Sequence, residues 1–406
     1  MKRDLNLPLE FRLAAACCMW PPSNDRAQAI QSTSENTIDW PRFMRVVNRQ
    51  RIAALVHSAL TSSRVQVPAS IKAELASHAQ QIARQNLLSA AESVRLQSLF
   101  DSAQIPVVFF KGVTLAQLAY GSLSLKHGKD IDILVPPGLA ETALQILERD
   151  GYGLSRPAEE LNEAQRRALI RYGKEVALIH RTTTIEVELH WKLMDNPLLL
   201  RNVDIHSPTQ DVRLFDGGGV RTLAETDLFA YLCVHGAIHA WSRLKWLADL
   251  NAFISGHDAA EIECFYHYAD TKGAGFCAGQ ALSLCRDFLQ LKVPPSLASE
   301  FRQSRRLRRL SAIAIDAMVG PDAETELIAR PFATYRTYLA WFLLGRGWGY
   351  FLAQCRNFSV GLGDVLCCPL PSYLHFLYPF LRLPLWLSRR VRYRGRGAPL
   401  RAPNRT

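Results

Sequence analysis

The 406-residue chain contains no C-x-x-C pair, and its nine cysteines are scattered along its length. Disulfide scaffolds and most structural zinc sites need closely spaced cysteines, so this spacing argues against both classes of protein. The adjacent pairs Cys17-Cys18 and Cys367-Cys368 are poorly placed for either. Hydrophobic residues make up 48% and charged residues 21%, which excludes a wholly disordered or fibrous protein. We therefore expect a globular cytoplasmic protein with reduced thiols.

An ordinary secretory signal and an uninterrupted membrane-spanning run are also missing. The apolar run Leu13–Trp20 is too short for a signal core with its cleavage site. Residues 365–387 are mostly apolar, but four prolines interrupt them and argue against one spanning helix. Two interpretations stay open, and we favour the first: a broken helical segment packed on the body, or a peripheral membrane contact through residues 365–396.

Positive charge is concentrated at the C-terminus. The net charge is +11, and residues 389–406 contain seven arginines and no acidic residue. Residues 301–310 form a second basic cluster, which would be a basic face on a helix. Either cluster could contact nucleic acid or anionic lipid, and a solvated face with a disordered tail explains them at least equally well.

Changes in the hydrophobic pattern divide the chain into four regions. Apolar spacings of three and four predict helices in the first hundred residues and again after about residue 220. Short β-rich runs between them predict strands at 105–110 and 130–135, and a hairpin of 176–180 with 184–190. The predicted regions are an N-terminal helical region (1–104), an α/β core (105–215), a second helical region (216–355), and an apolar, proline-interrupted segment with an arginine-rich tail (356–406).

Three segments show long helical patterns. The first is 39–60, which opens with an aspartate at the N-cap and a proline in the first turn. The second is 68–99, which we read as one long helix or two. The third is 225–250, which we read as one continuous helix.

The strongest local signal for chemistry is the sequence Asp130-Ile-Asp-Ile-Leu-Val135. Side chains alternate along a strand, so Asp130 and Asp132 share one face while Ile131 and Ile133 pack behind it. Two adjacent carboxylates on a buried strand repel each other, and a divalent cation such as Mg²⁺ resolves that repulsion. Because D-x-D alone often occurs by chance, the interpretation needs further support.

Two neighbouring segments provide that support. Residues 184–190 place Glu186, Glu188 and His190 on one face, so that a third acid would complete a two-cation site. Lys111-Gly112 lies at a strand-to-helix turn, where a helix N-terminus, a glycine and a lysine can hold a triphosphate. In this order the segments describe a site for nucleotidyl transfer. His190 has two evenly weighted interpretations, since it would either line the site or bond to backbone at the strand end.

A separate pair of histidines lies in the second helical region. His235 and His239 are four residues apart and share a helix face, and Asp249 is about four turns beyond His235. A zinc site would need a further ligand and has weak support. We favour the interpretation that these histidines pack between helices or support the site. The alternative is that they contact the nucleotide or the acceptor directly, together with Arg243 and Lys245.

Three segments together carry a family resemblance: Lys111-Gly-Val-Thr-Leu-Ala-Gln-Leu-Ala-Tyr120, Lys126-His-Gly-Lys-Asp-Ile-Asp-Ile-Leu-Val-Pro136 and Ile185-Glu-Val-Glu-Leu-His-Trp191. With them, the chain resembles the bacterial uncharacterised nucleotidyltransferase family of the polymerase-β-like superfamily, over residues 35 to 260. It is similar, more distantly, to the nucleotidyltransferase toxins of abortive-infection systems. The resemblance implies an α+β fold, with a small mixed-sheet nucleotidyltransferase core embedded in a mostly helical chain.

The same resemblance implies a reaction and the residues for it. An NMP group would move from an NTP such as ATP to an acceptor, with release of pyrophosphate and with two Mg²⁺ ions as cofactors. Asp130, Asp132 and Glu188 would bind the metal, and Glu188 would help to deprotonate the acceptor. Glu186 would replace Glu188 if the register slipped by two residues. The implied nucleotide-binding residues are Lys111, Gly112, Thr114, Lys126 and Lys129, and the implied supporting or acceptor-side residues are Glu186, His190, His235, His239 and Asp249.

The acceptor and the type of activity both stay open. The acceptor stays open among a small molecule, a peptide, a protein and RNA. A non-catalytic scaffold that binds nucleotide or a partner and keeps the fold is the rival class, and the presence of all three carboxylates argues against it. Transfer of the γ-phosphate also fits the same metals and lysine.

Overall fold

The computed structural model describes residues 7–156, 161–320, 323–326, 333–368, 370–382 and 384–385. It is mostly helical with a small mixed sheet, which confirms the expected α+β class. The strands are β1 (Val108–Phe109), β2 (Asp130–Leu134), β3 (Tyr152–Arg156), β4 (Glu175–His180), β5 (Glu186–His190), β6 (Thr209–Phe215) and β7 (Gly218–Leu223).

The helices before and within the sheet region are α1 (Leu9–Cys17), α2 (Asn24–Ser34), α3 (Trp40–Gln50), α4 (Ala53–Thr61), α5 (Ala69–Ser102), α6 (Gly112–Tyr120), α7 (Ala140–Arg149) and α8 (Glu163–Tyr172). Those after it are α9 (Glu225–Ile238), α10 (Leu244–Ile254), α11 (Ala259–Thr271), α12 (Gly275–Leu289), α13 (Pro295–Gln303), α14 (Arg305–Met318), α15 (Ala333–Trp341), α16 (Gly347–Ser359) and α17 (Leu362–Cys367).

The main sheet has the strand order β1-β2-β5-β4-β3. Strands β2 and β5 run parallel, and the other neighbours are antiparallel. The predicted hairpin is confirmed as β4 and β5, and a second, separate hairpin forms from β6 and β7. The parallel pair at the centre is the part of the sheet that positions the candidate site.

The two faces of β2 have different environments, as its alternation predicts. Ile131 and Ile133 are buried in an apolar cluster with Leu144 of α7 and Val187 of β5. The opposite face carries Asp132. Burial of the apolar face therefore holds the carboxylate at a defined position on the other side.

The 34-residue helix α5 is a scaffold for the sheet, and it forms as a single helix. Asn86 donates to the carbonyl of Lys126 at 2.7 Å and so holds the loop before β2. Arg95 donates to Asp150 at 3.0 Å, immediately before β3. Asp101 accepts from Arg221 of β7 at 2.8 Å. Polar contacts along the helix thus fix three separate segments of the core.

Two predicted helices are in fact broken, which corrects the expectation of continuous helices at 39–60 and 225–250. The first breaks between α3 and α4, where Arg51 has a φ of 56°. The second breaks between α9 and α10, where Ala240 and Trp241 have φ values of 49° and 47°. Left-handed backbone is usually marked by glycine, and none of these residues is glycine, so the sequence pattern did not reveal the breaks.

The apolar segment near the C-terminus forms short pieces of helix. Gln165 of α8 donates to the carbonyl of Leu366 in α17 at 3.0 Å, and Val365 is buried. Phe376 and Phe380 are 66% and 76% exposed. None of the helices in the described ranges is both long and apolar enough to cross a bilayer. Residues 386–406, with the arginine-rich tail, lie outside those ranges, and the membrane contact stays a prediction.

Gly236 offers a test of the break after α9. A Cβ atom at this position would lie 2.3 Å from the ring of the fully buried Trp241, whose indole nitrogen donates to Gln280 at 3.3 Å. We predict that Gly236→Ala lowers the free energy of unfolding by about 1–3 kcal/mol, because the ring must move in a packed core. Urea unfolding measures this change. Gly256→Ala is the matched control, since its Cβ meets nothing within 4 Å, and an equal loss in both variants would contradict the packing argument.

Candidate active site

The register between β2 and β5 places two buried carboxylates side by side. Asp132 lies opposite Glu188, and His190 follows two residues later on the same face of β5. The three residues are 2–4% exposed, and their ligand atoms all lie within 4.8 Å of one another. Among the described residues, this is the one group of its kind that could hold a metal ion.

Two cations balance the buried carboxylate of Asp132. Lys111 Nζ lies 2.5 Å and His190 Nε2 lies 3.3 Å from Asp132 Oδ1. Burial opposes ionisation of Asp132, but the charges of Lys111 and His190 outweigh burial and hold its pKa well below the ordinary value. Burial raises the pKa of Glu188, and the charge of Asp132 acts in the same direction, although the nearby His190 opposes the shift. The two carboxylates therefore differ in proton affinity.

His190 is held by a carboxylate that the sequence analysis missed. Its Nδ1 atom lies 3.0 Å from Glu175 Oε2, and Lys174 forms an ion pair with the same carboxylate. Burial opposes protonation of His190, but Glu175 and Asp132 prevail and raise its pKa to about 10. The signal for Glu175 was available, because it lies opposite His190 in the predicted β-hairpin. The predicted strand begins one residue later, at Val176, and so leaves Glu175 out.

The donor set of this cluster fits a divalent cation. Buried polar atoms are normally satisfied, yet Asp132 Oδ1 and both ring nitrogens of His190 make ion-pair contacts without ordinary hydrogen-bond geometry. Carboxylate oxygens suit Mg²⁺ and Mn²⁺, and imidazole suits the transition metals. Asp132 and Glu188 would hold the ion, with His190 at its edge.

Asp130 and Glu186 lie opposite each other, one pleat away from the buried pair. Glu186 forms an ion pair with the half-exposed Lys129. The register therefore pairs Asp132 with Glu188 and not with Glu186. Asp130 shares the face of Asp132 but lies outside the compact cluster.

The turn around Lys111 brings the start of α6 against β2. Gly112 has a φ of 60°, which favours glycine, and a Cβ there would lie 3.2 Å from the carbonyl oxygen of Asp130, which is a tight contact. The buried Thr114 hydroxyl donates to the carbonyl of Lys111 at 2.6 Å. In this structure the Thr114 hydroxyl is therefore bonded to the backbone of its own helix turn, and Lys111 pairs with Asp132.

Lys126 and Asp249 meet on the other side of the site. Their charged atoms are 3.6 Å apart, and the Tyr120 hydroxyl donates to Asp249 at 2.9 Å. Because the chain turns between α9 and α10, the expectation that Asp249 shares a continuous helix face with His235 is wrong. Asp249 instead ties α10 to the core.

His235 and His239 belong to an aromatic cluster. Their ring centroids are 4.6 Å apart, and His239 stacks on Trp246 at 4.9 Å. Burial lowers the pKa of His239 to about 3, and the charges of Lys111 and Lys174 act in the same direction. These neutral rings therefore pack beside the cationic side of the site. No zinc-binding group includes them in the described part of the chain.

Comparison with known proteins agrees with this arrangement. A family model described as uncharacterised nucleotidyltransferase matches residues 36–290, more than half of the chain. No curated protein matches the sequence. The similarity to abortive-infection toxins is not shown and stays a prediction. The sequence match and the mixed sheet lead to one conclusion: the chain belongs to the family of uncharacterised nucleotidyltransferases.

Proposed function

We propose that the protein is a Mg²⁺-dependent enzyme that transfers an NMP group from an NTP to an acceptor. The observation that carries the proposal is the buried pair of Asp132 and Glu188 on adjacent parallel strands, inside the matched family region. Lys111 and His190 already balance Asp132, but Glu188 lies beside it with a raised pKa, so a divalent cation would hold both carboxylates in the ionised form. Nucleotidyl transfer needs such a cation beside the α-phosphate. Asp130, one pleat away, is the proposed ligand for a second ion.

In the proposed reaction, the acceptor oxygen forms a bond to the α-phosphorus. The bond from that phosphorus to the oxygen bridging the β-phosphorus breaks, and pyrophosphate leaves with the bonding electrons. Bound Mg²⁺ would stabilise negative charge on the attacking and leaving oxygens. Glu188 accepts the proton of the acceptor, while Asp132 stays ionised beside Lys111. His190 orients Asp132 and Glu188 from behind, and Glu175 holds His190.

The acceptor and the compartment are finer parts of the proposal. An attacking hydroxyl or other nucleophile is required, and a small molecule, a peptide, a protein side chain and an RNA end all supply one. All nine cysteines are free, which supports a reducing compartment, and we place the reaction in the cytoplasm.

We predict that Asp132→Asn abolishes label transfer from α-labelled NTP, with a loss of at least about 100-fold, because the ion loses its charged ligand. The assay contains each of the four α-labelled NTPs, Mg²⁺ and host-cell lysate as the source of acceptor. Asp211→Asn is the matched control, because Asp211 is an exposed carboxylate on β6. Equal label transfer by wild type and Asp132→Asn would contradict the proposal.

The position of the label separates the rival reactions. Movement of γ-label to the acceptor without movement of α-label would indicate phosphoryl transfer. Binding of NTP without movement of either label, in lysate fractions that span all four acceptor classes, would favour the scaffold.

A second prediction concerns the metal alone. Mg²⁺ or Mn²⁺ at millimolar concentration should raise the melting temperature of the wild type, because the ion relieves repulsion between Asp132 and Glu188 and binds only the folded state. Asp132→Asn should show no such shift, whereas Asp211→Asn should behave as the wild type. Differential scanning calorimetry with and without EDTA measures the shift. An equal shift in all three proteins would show that the ion binds elsewhere.

A further inference from the structure

Three separate parts of the chain converge beside the start of β2. The backbone N–H of Leu244 donates to the side chain of Gln50 at 2.7 Å, and Arg243 donates to the carbonyl of Arg49 at 2.9 Å. These bonds join the end of α3 to the start of α10. The ion pair between Lys126 and Asp249 joins α10 to the loop that precedes β2 (3.6 Å). Arg51, Lys126 and Lys245 are thereby brought to one place from three distant segments.

Most cations around the site already have a carboxylate partner. Two half-buried cations do not, because no carboxylate lies in ion-pair distance of Arg51 or Lys245 anywhere in the described ranges. The paired cations are Lys111 with Asp132, Lys126 with Asp249, Lys129 with Glu186, and Arg243 with Glu326. The lysines expected to bind phosphate are therefore occupied, while two other cations remain available.

The unpaired cations are held at an energetic cost. Burial lowers the pKa of Lys245 to about 7, and the charges of Lys126 and Arg51 act in the same direction. Burial and the charge of Arg243 also lower the pKa of Arg51, whose backbone has a φ of 56°. Beside them, His127 Nδ1 is buried without a hydrogen-bond partner. Unpaired charge and left-handed backbone at one place are typical of a ligand site, and a ligand that offsets these cations carries negative charge.

We propose that Arg51 and Lys245 bind the triphosphate of the nucleotide substrate. The phosphate subsite is then built by the helical segments on either side of the α/β core, and not mainly by the turn at Lys111, Gly112 and Thr114. A small polyanion fits better than a nucleic acid strand, because the two cations are half-buried and both lie near enough to Asp130 to feel its charge. This inference rests on the proposed function, since it concerns the substrate of the same site.

The test measures binding of inorganic tripolyphosphate with Mg²⁺ by isothermal titration calorimetry. Lys245→Met and Arg51→Met should each weaken binding by at least about tenfold, because each removes one charge-assisted contact. Lys245→Arg keeps the charge and should retain most of the affinity. Lys72→Met, an exposed lysine on α5, is the matched control and should bind as the wild type. Unchanged binding in both site variants, or no binding by the wild type, would overturn the inference.

Tripolyphosphate binding tests this inference, and transfer of the α-label tests the proposed function, so the two can fail separately. If tripolyphosphate binds and the variants lose it, the subsite stands even when no α-label ever moves to an acceptor. If α-label moves in the wild type and both variants bind tripolyphosphate normally, the proposed function stands and the subsite is overturned.

Urea unfolding of the Lys245→Met variant tests whether lost binding comes from misfolding. Burial lowers the pKa of Lys245 from its ordinary value of 10.5 to about 7 in the folded protein. Its charge therefore destabilises the folded state fully below pH 7, and the penalty disappears as the pH rises toward 10.5. We predict that Lys245→Met raises the urea midpoint of the ligand-free protein at pH 6 and loses this advantage near pH 10. A lower midpoint at pH 6 would contradict the presence of a strained, unpaired cation.

Discussion

The arrangement of the site depends on one constraint, which is the burial of Asp132 and Glu188 next to each other on parallel strands. Their apolar neighbours fix them there, because Ile131 and Ile133 pack on the other face of the same strand. A slip of one residue would turn these isoleucines toward the site and the carboxylates into the apolar cluster. The hydrophobic core therefore specifies the position of the charged groups.

Buried carboxylates need compensation, and the surrounding residues provide it in an ordered chain. Lys111 and His190 contact Asp132, Glu175 contacts His190, and Lys174 contacts Glu175. Positive and negative groups alternate through this chain, so each buried charge lies next to an opposite one. Removing one partner from such a chain costs more than the intact pair contributes, because the remaining charge stays buried and unpaired.

Part of this site could be predicted from sequence, since strand alternation is a local property. Strand alternation predicted that Asp132 lies on the opposite face from Ile131, and that Glu188 and His190 share one face. The structure shows both arrangements. Glu175 was missed because its role depends on the pairing of two strands, and the predicted hairpin began one residue too late. The position of Arg51 could not be predicted, because it follows from a helix break without glycine and from the contact of the preceding Gln50 with Leu244, nearly two hundred residues away. No local sequence pattern contains either feature.

The helical regions explain how the molecule can keep charges that oppose folding. An unpaired cation held out of water costs up to several kcal/mol even after the surrounding protein relaxes, and the carboxylate pair adds to that cost. Each fully buried Leu or Phe contributes about 1.5–3 kcal/mol, and one continuous apolar cluster runs from Phe11 through Leu247 to Leu310. The same helices that supply this cluster also carry Arg51 and Lys245 to the start of β2. The small mixed sheet alone has neither Arg51 and Lys245 nor the buried area to hold them, so in the proposed phosphate subsite the helical regions supply residues as well as support.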